Sequence, residues 1–341
     1  MVELRAGVTL ASLPSRVLAP LHHRAAMFDL TVDETELIRT ASLEIWASNQ
    51  RVLERARQLA AALATEGVTP VAIKGLAVVG DHASSDHRAI GDIDMLVSVD
   101  ELVTTIRVLA EAGHPVDYQP DRLALRQRHA VIAPGPDDIW VDLHWRAGGG
   151  MPLWAARREL SAPWPSGRSV PAPNGHPLYG TGWRVLRPHD SLAVLALHGC
   201  RPANTRAAHL MADAHVLLSN LDADDASRVL RALDEVGHRG RGGRWLQRVA
   251  DLFGTDMPEE LQHLRRSPTE CWAERLEKVA ARRTRSAGAG PVGLALGAVA
   301  SSASVTVTRP WQLPGQMIGR LRWERASQHH TRIEPAPVER W

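Results

Sequence analysis

The run Gly91-Asp92-Ile93-Asp94-Met95-Leu96-Val97 restricts the possible folds of this chain more than any other stretch. Read as a strand, its alternation puts Asp92 and Asp94 on one face and Ile93 on the other. The apolar residues that follow anchor such a strand in a sheet, so Ile93 must meet a core while the two carboxylates look away from it. Carboxylates this close repel one another and raise each other's pKa unless a cation lies between them. The run therefore predicts a sheet with a buried face and a face that needs positive charge.

A second strand carries the same signature. In Val141-Asp142-Leu143-His144-Trp145, Asp142 and His144 share one face, and Val141, Leu143 and Trp145 share the other. A carboxylate is costly to bury alone in an apolar strand. Asp142 is accounted for if it joins Asp92 and Asp94 around a metal ion. Magnesium, or manganese, is the expected ion, because it takes oxygen ligands and completes its shell with water and phosphate. Three carboxylates from two neighbouring strands are what a two-metal phosphoryl or nucleotidyl transfer site requires. His144 is read as a hydrogen-bonded structural histidine near that face.

The third piece is Val71-Ala72-Ile73-Lys74-Gly75, a short apolar strand running into glycine. Glycine lets the backbone turn sharply and approach a phosphate with no side chain in the way. Lys74 can offer the phosphate a point charge, and Arg88 can grip one with two N–H groups. Composition sharpens the interest in Lys74. Only Lys74 and Lys278 are lysine among 40 basic residues, leaving 38 arginines. A lysine is a departure from the habit of this chain.

Taken together, Lys74-Gly75, Arg88, the Gly91–Val97 run and Val141–Trp145 resemble the uncharacterised bacterial nucleotidyltransferase family of the polymerase-beta-like superfamily, members of which occur in peptide natural-product gene clusters. The resemblance spans roughly residues 50 to 220. It continues through Arg187-Pro188-His189-Asp190, His198 and Leu210-Met211-Ala212-Asp213. It implies an α+β nucleotidyltransferase fold, a bound divalent metal, and transfer of a nucleoside monophosphate from a nucleoside triphosphate. On that resemblance Asp92, Asp94 and Asp142 are catalytic metal ligands, Asp142 also activating the acceptor hydroxyl, and Lys74, Gly75 and Arg88 bind the nucleotide. One departure is plain. The usual Gly-Ser after the first strand is Gly75-Leu76 here, so no serine hydroxyl is offered to the phosphates.

The rest of the chain is organised around this unit. Helical spacing of apolar residues, among them Leu37, Ala41, Trp46, Leu53 and Ala56, predicts a long helix over Thr31–Thr65, with Gly67 after it as a cap. Strands are expected at Val68–Ile73, Asp92–Val97, Arg126–Ala133 and Ile139–Trp145, with short helices at Leu76–His82 and Asp100–Ala112. The last two strands are joined by the turn Pro134–Asp138 as a hairpin. Arg168–Val170 and Gly182–Leu186 read as two further short strands. From Pro188 the pattern turns helical, with Asp190–Cys200, Thr205–Asn220, Asp224–Val236 and Trp245–Phe253 as the clearest segments and Glu259–Leu264 and Glu270–Arg283 continuing it. Asp190 is placed to cap the first of these. The expected division is a helical segment over 1–66, a catalytic domain over 67–187, a helical domain over 188–308 and an arginine- and proline-rich tail over 309–341.

At 341 residues the chain is long enough for more than one core, and 44% hydrophobic with 23% charged residues describes a globular protein. A net charge of +2 gives no general footprint for a long nucleic acid, although a tRNA end held by a local arginine patch stays open. The expected partners are a nucleoside triphosphate and a small-molecule, peptide or protein acceptor. Cys200 and Cys271 lie far apart and imply neither a disulfide framework nor a zinc site. No signal peptide is read at the N-terminus, and Gly290–Ala300 is too short to cross a bilayer, so the expected place is the cytoplasm. Two other functions compete: a non-catalytic module of the same fold that binds a peptide or protein, and a kinase-like phosphotransferase using the same metal site. Three like charges retained on one face argue against the first.

Overall fold

The computed structural model describes residues 30–82, 88–116, 130–146, 168–200, 207–235 and 238–262. The expectations for Cys271, Lys278, Glu270–Arg283, Gly290–Ala300 and both chain ends lie outside them, as do residues 126–129 of the third expected strand.

Helix α1, Val32–Ala64, begins with Thr31 and Glu34 capping each other's backbone reciprocally. It buries a stripe from Ile38 through Val52, Leu53, Ala56, Leu59 and Leu63. Trp46, expected on that stripe, is instead 50% exposed, and Asn49 takes the buried position on its turn. After α1 come β1 (Val71–Ala72) and the single-turn helix α2 (Lys74–Val78). Next are β2 (Asp92–Leu96), α3 (Leu102–Glu111), β3 (Ala130–Ala133) and β4 (Trp140–His144). Finally β5 (Ser169–Pro171) and β6 (Arg184–Leu186) complete one mixed six-stranded sheet in the order β3-β4-β2-β1-β6-β5. The expected hairpin is present, with Ala130 opposite His144 and Ala133 opposite Val141. The strand expected over Val68–Ile73 keeps ladder pairing only at Val71 and Ala72.

The pleat of the sheet sorts its two faces. Ala72, Ile93, Met95, Val131, Val141 and Leu143 join one core with Val52, Ala56 and Leu59 of α1 and Leu102 and Leu109 of α3. On the opposite face Val71, Ile73, Leu96 and Leu186 pack with Val194. Val194 belongs to α4, Pro188–Gly199, which starts the helical layer made with α5 (Ala207–Leu218), α6 (Ala223–Glu235) and α7 (Arg239–Phe253). These helices share a second core that includes Val78 of α2. Burying each such aliphatic side chain stabilises by about 1.5–3 kcal/mol.

Three further local expectations are corrected. Asp190 does not cap α4, which has no side-chain cap; it accepts a hydrogen bond from Arg168 at 3.0 Å, because it sits inside the first turn and points to a neighbouring cation. Helix α7 starts six residues before Trp245, through Gly240, Gly242 and Gly243. Glycine is a poor helix former, but a Cβ on Gly242 would come within 2.8 Å of Leu233, so close packing against α6 outweighs propensity. Glu259–Leu261 forms a 3-10 turn where the expected helix was to begin. Among the described residues no helix is long and apolar enough to cross a membrane.

Candidate active site

The site forms on the face of the sheet that looks toward α4. Strands β2 and β4 are parallel neighbours, and their register sets Asp94 directly beside Asp142 and Asp92 beside Trp140. Because side chains two apart share a face, Asp92, Asp94, Asp142 and His144 all leave the sheet on one side. Ile93, Val141 and Leu143 are buried beneath them.

One ligand atom each from Asp94, Asp142 and His144 lies within 4.8 Å of the other two. His144 Nε2 is 2.8 Å from Asp142 Oδ2 and 3.3 Å from Asp94 Oδ1. Two carboxylate oxygens and an imidazole nitrogen so gathered fit a divalent cation of the magnesium, manganese or zinc kind. Asp92, expected as a ligand, stands beside this trio at the mouth of strand β2.

The Lys74 ammonium lies at the centre of the group. It donates to Asp94 Oδ1 at 2.5 Å and to Asp142 Oδ2 at 3.1 Å, and lies 3.2 Å from His144 Nε2. Its backbone has φ of 51°, in the left-handed region that a side chain disfavours. That turn aims the side chain from the end of β1 across β2 to β4. Lys74 was expected beside a phosphate; in this structure its partners are the carboxylates.

These contacts govern the protonation of the site. Burial pulls the Lys74 ammonium toward neutrality, but Asp94 and Asp142 outweigh it and raise its pKa. Burial pushes Asp142 up, yet His144 and Lys74 hold its carboxyl well below the usual range. His144 is raised because the neighbouring carboxylates, Asp142 foremost, prevail over burial and the Lys74 charge. Asp92 goes the other way. Burial first, then the charge of Asp94, pushes it up to about 6. Neighbouring carboxylates of one site thus have strongly separated proton affinities, a pattern typical of active sites.

Arg88 and Gly75 meet on the flank. Arg88 donates from Nε and Nη2 to the two oxygens of Asp213 at 2.8 and 3.0 Å, and from Nη1 to the carbonyl of Ala89. The bidentate grip expected on a phosphate is therefore occupied here by a carboxylate of α5. Asp213 is fully buried and also contacts His82 Nε2 at 3.1 Å. Despite burial, these two partners keep its pKa low. A Cβ on Gly75 would lie 2.6 Å from Arg88 Nη2, so a larger residue there would have to shift the guanidinium that holds Asp213.

Asn49 was missed by the sequence reading. Buried in α1, it donates to the carbonyl of Arg88 and accepts from the N–H of Ile90, both at 2.8 Å, and so holds the backbone leading into Asp92. The available signal was an asparagine at a position where the helical stripe calls for an apolar residue. His198 of α4 comes near as well, its ring edge-on to His144 at 6.4 Å between centroids.

Fold and site together define an α+β protein with a mixed sheet, a helical layer over one face, and a buried carboxylate–imidazole cluster between them. Within that class, the chain belongs to the uncharacterised nucleotidyltransferase family, whose pattern matches residues 14–254. It is a nucleotidyltransferase. Among solved structures, the solution structure of the antibiotic-resistance factor ANT(2'')-Ia is similar at 14% identity with a TM-score of 0.39, covering 61% of this chain and 97% of that one. That likeness is too distant to add to the family match. No curated protein matches the chain.

Proposed function

We propose that the protein moves a nucleoside monophosphate from a nucleoside triphosphate to a hydroxyl or phosphate of a small-molecule, peptide or protein acceptor, using magnesium or manganese. The observation that carries this is the register of β2 and β4, which sets Asp94 beside Asp142 on one face of the sheet in a chain of this family. In this reading Asp94 and Asp142 hold the metal, with His144 as a third donor or as the group that orients Asp142, and Asp92 completes the charge at the mouth. Lys74, Gly75 and Arg88 form the side assigned to the triphosphate. A divalent ion bound there would polarise phosphate oxygens and lower the pKa of the attacking hydroxyl.

The side chains contribute in distinct ways. Asp142, held ionised by His144 and Lys74, offers its carboxylate to an ion that takes their place. Its expected role as proton acceptor for the incoming hydroxyl begins only when they let go. Asp92, with its pKa pushed up to about 6, takes up a proton more readily than Asp142. The resemblance to members in peptide natural-product clusters supports a peptide-related acceptor as the first class to try.

The test is calorimetry with each of the four ribonucleoside triphosphates in magnesium or manganese, followed by product analysis with acceptor candidates. The expected results are binding of at least one triphosphate and release of pyrophosphate. Asp94→Asn should reduce turnover roughly hundredfold or more, the scale of losing one strong electrostatic group. Release of nucleoside diphosphate would replace nucleotidyl transfer with phosphoryl transfer, and absence of any triphosphate binding would refute both.

A further inference from the structure

Asp94 and Asp142 face each other across buried, parallel strands, and that repulsion must be relieved before any ion arrives. Lys74 relieves it, its ammonium lying 2.5 Å from one carboxylate and 3.1 Å from the other. The side chain is only 14% exposed, so water screens these contacts weakly. It reaches them from a left-handed backbone that a residue with a side chain disfavours, a conformation that persists only where the surroundings enforce it. The residue type fits as well. In a chain with 38 arginines the position carries a lysine, a compact charge on a flexible stem that can withdraw, where a guanidinium would lock onto both carboxylates.

We propose that Lys74 is a built-in surrogate for the divalent cation. Its ammonium holds the carboxylate pair together while the metal is absent, and it leaves Asp94 and Asp142 as the metal enters. Entry and departure are one exchange, and the displaced ammonium is then free for the triphosphate. The protein consequently binds a naked ion weakly and an ion that arrives on a polyphosphate strongly, because only the second offers Lys74 a new anionic partner. Coupling of this sort is reciprocal: whatever releases Lys74 favours the metal, and the metal favours whatever receives Lys74. The inference rests on the nucleotidyl-transfer reading for its choice of ligand.

The test measures binding without turnover. Manganese alone and a preformed manganese–tripolyphosphate complex are titrated into the wild-type protein, K74M and K74R by calorimetry and by the electron paramagnetic resonance of the free ion. K74M is expected to bind the naked ion roughly tenfold or more tightly than wild type, the effect of removing one charge a few ångströms away. It should bind the complex more weakly, so the two affinities move in opposite directions. K74R keeps the charge in a form harder to displace and should bind the naked ion no better than wild type. If K74M does not fold, the wild-type preference for the complex together with the K74R order still decides the matter. Naked-ion binding that is unchanged or weaker in K74M overturns the surrogate role alone. Failure of the wild type to bind either probe overturns it along with the nucleotidyl-transfer reading.

Discussion

At the scale of single residues, Asp92 is the group whose environment can be read out most directly. Its carboxyl is raised to about 6, first by burial and then by Asp94. A carboxyl with a raised folded pKa binds its proton more tightly in the native state than in the unfolded chain. Its ionisation therefore costs stability above about 6, and the cost disappears below the unfolded value of roughly 4. Metal-free Asp92→Asn should be about 1–3 kcal/mol more stable than wild type at pH 8, with the gap closing as pH falls from about 6 to about 4. Urea denaturation with a chelator present measures it, and a gap that widens toward acid would contradict the assignment. Adding manganese should narrow or reverse the advantage at pH 8, because Asp92 then contributes to holding the ion.

Among secondary-structure elements, the site depends on how α1 grips the approach to β2. Asn49 satisfies the Arg88 carbonyl and the Ile90 N–H together, and Ile90 is buried. Asn49→Ala would leave a buried N–H without that partner, at an expected cost of about 1–3 kcal/mol in chemical denaturation. It should also weaken manganese binding, since Asp92 follows two residues after Ile90. The strands themselves were legible in the sequence. Polar and apolar residues alternate over Asp92–Met95 and Val141–Trp145, so which of these side chains share a face followed without a structure. The pairing of Asp94 with Asp142 was not legible, because register comes from long-range packing that local pattern does not encode. Nor was the direction of Lys74. A left-handed turn at a non-glycine residue has no sequence signature, and with it goes the contact of Lys74 with both carboxylates. The start of α7 was lost for a related reason, since Gly240–Gly243 oppose a helix locally while packing against α6 imposes one.

On the scale of the whole molecule, the sheet and the helical layer are joined by an ion cluster. Asp213 of α5, fully buried, accepts from Arg88 and contacts His82, four residues after α2. Removing one partner of a buried pair leaves an uncompensated charge and costs about 3–5 kcal/mol. Asp213→Asn should show a loss of that order at pH 7. Because the pKa of Asp213 is depressed, its contribution is full above the unfolded carboxylate value and fades as pH falls through the folded one. The wild type and Asp213→Asn should therefore converge in stability under acid conditions, as seen by thermal unfolding at successive pH values. The role of this aspartate in joining layers could be guessed from its place on an apolar helix. Its partner could not, because Arg88 is one of 38 arginines and nothing local distinguishes it.

The alignment of Asp94 with Asp142 also says how this chemistry can be inherited. The two residues are far apart in sequence and meet only because two strands lie side by side with one particular offset. Length can change in the connections between the strands wherever α3 and the β3–β4 pairing stay intact, because those loops do not set the offset. A single-residue insertion inside either strand is another matter: past that point it turns every side chain to the opposite face of the sheet. Variation in length should then be punctuated, with tolerance in the connecting loops and almost none within five-residue windows at Asp92–Leu96 and Trp140–His144.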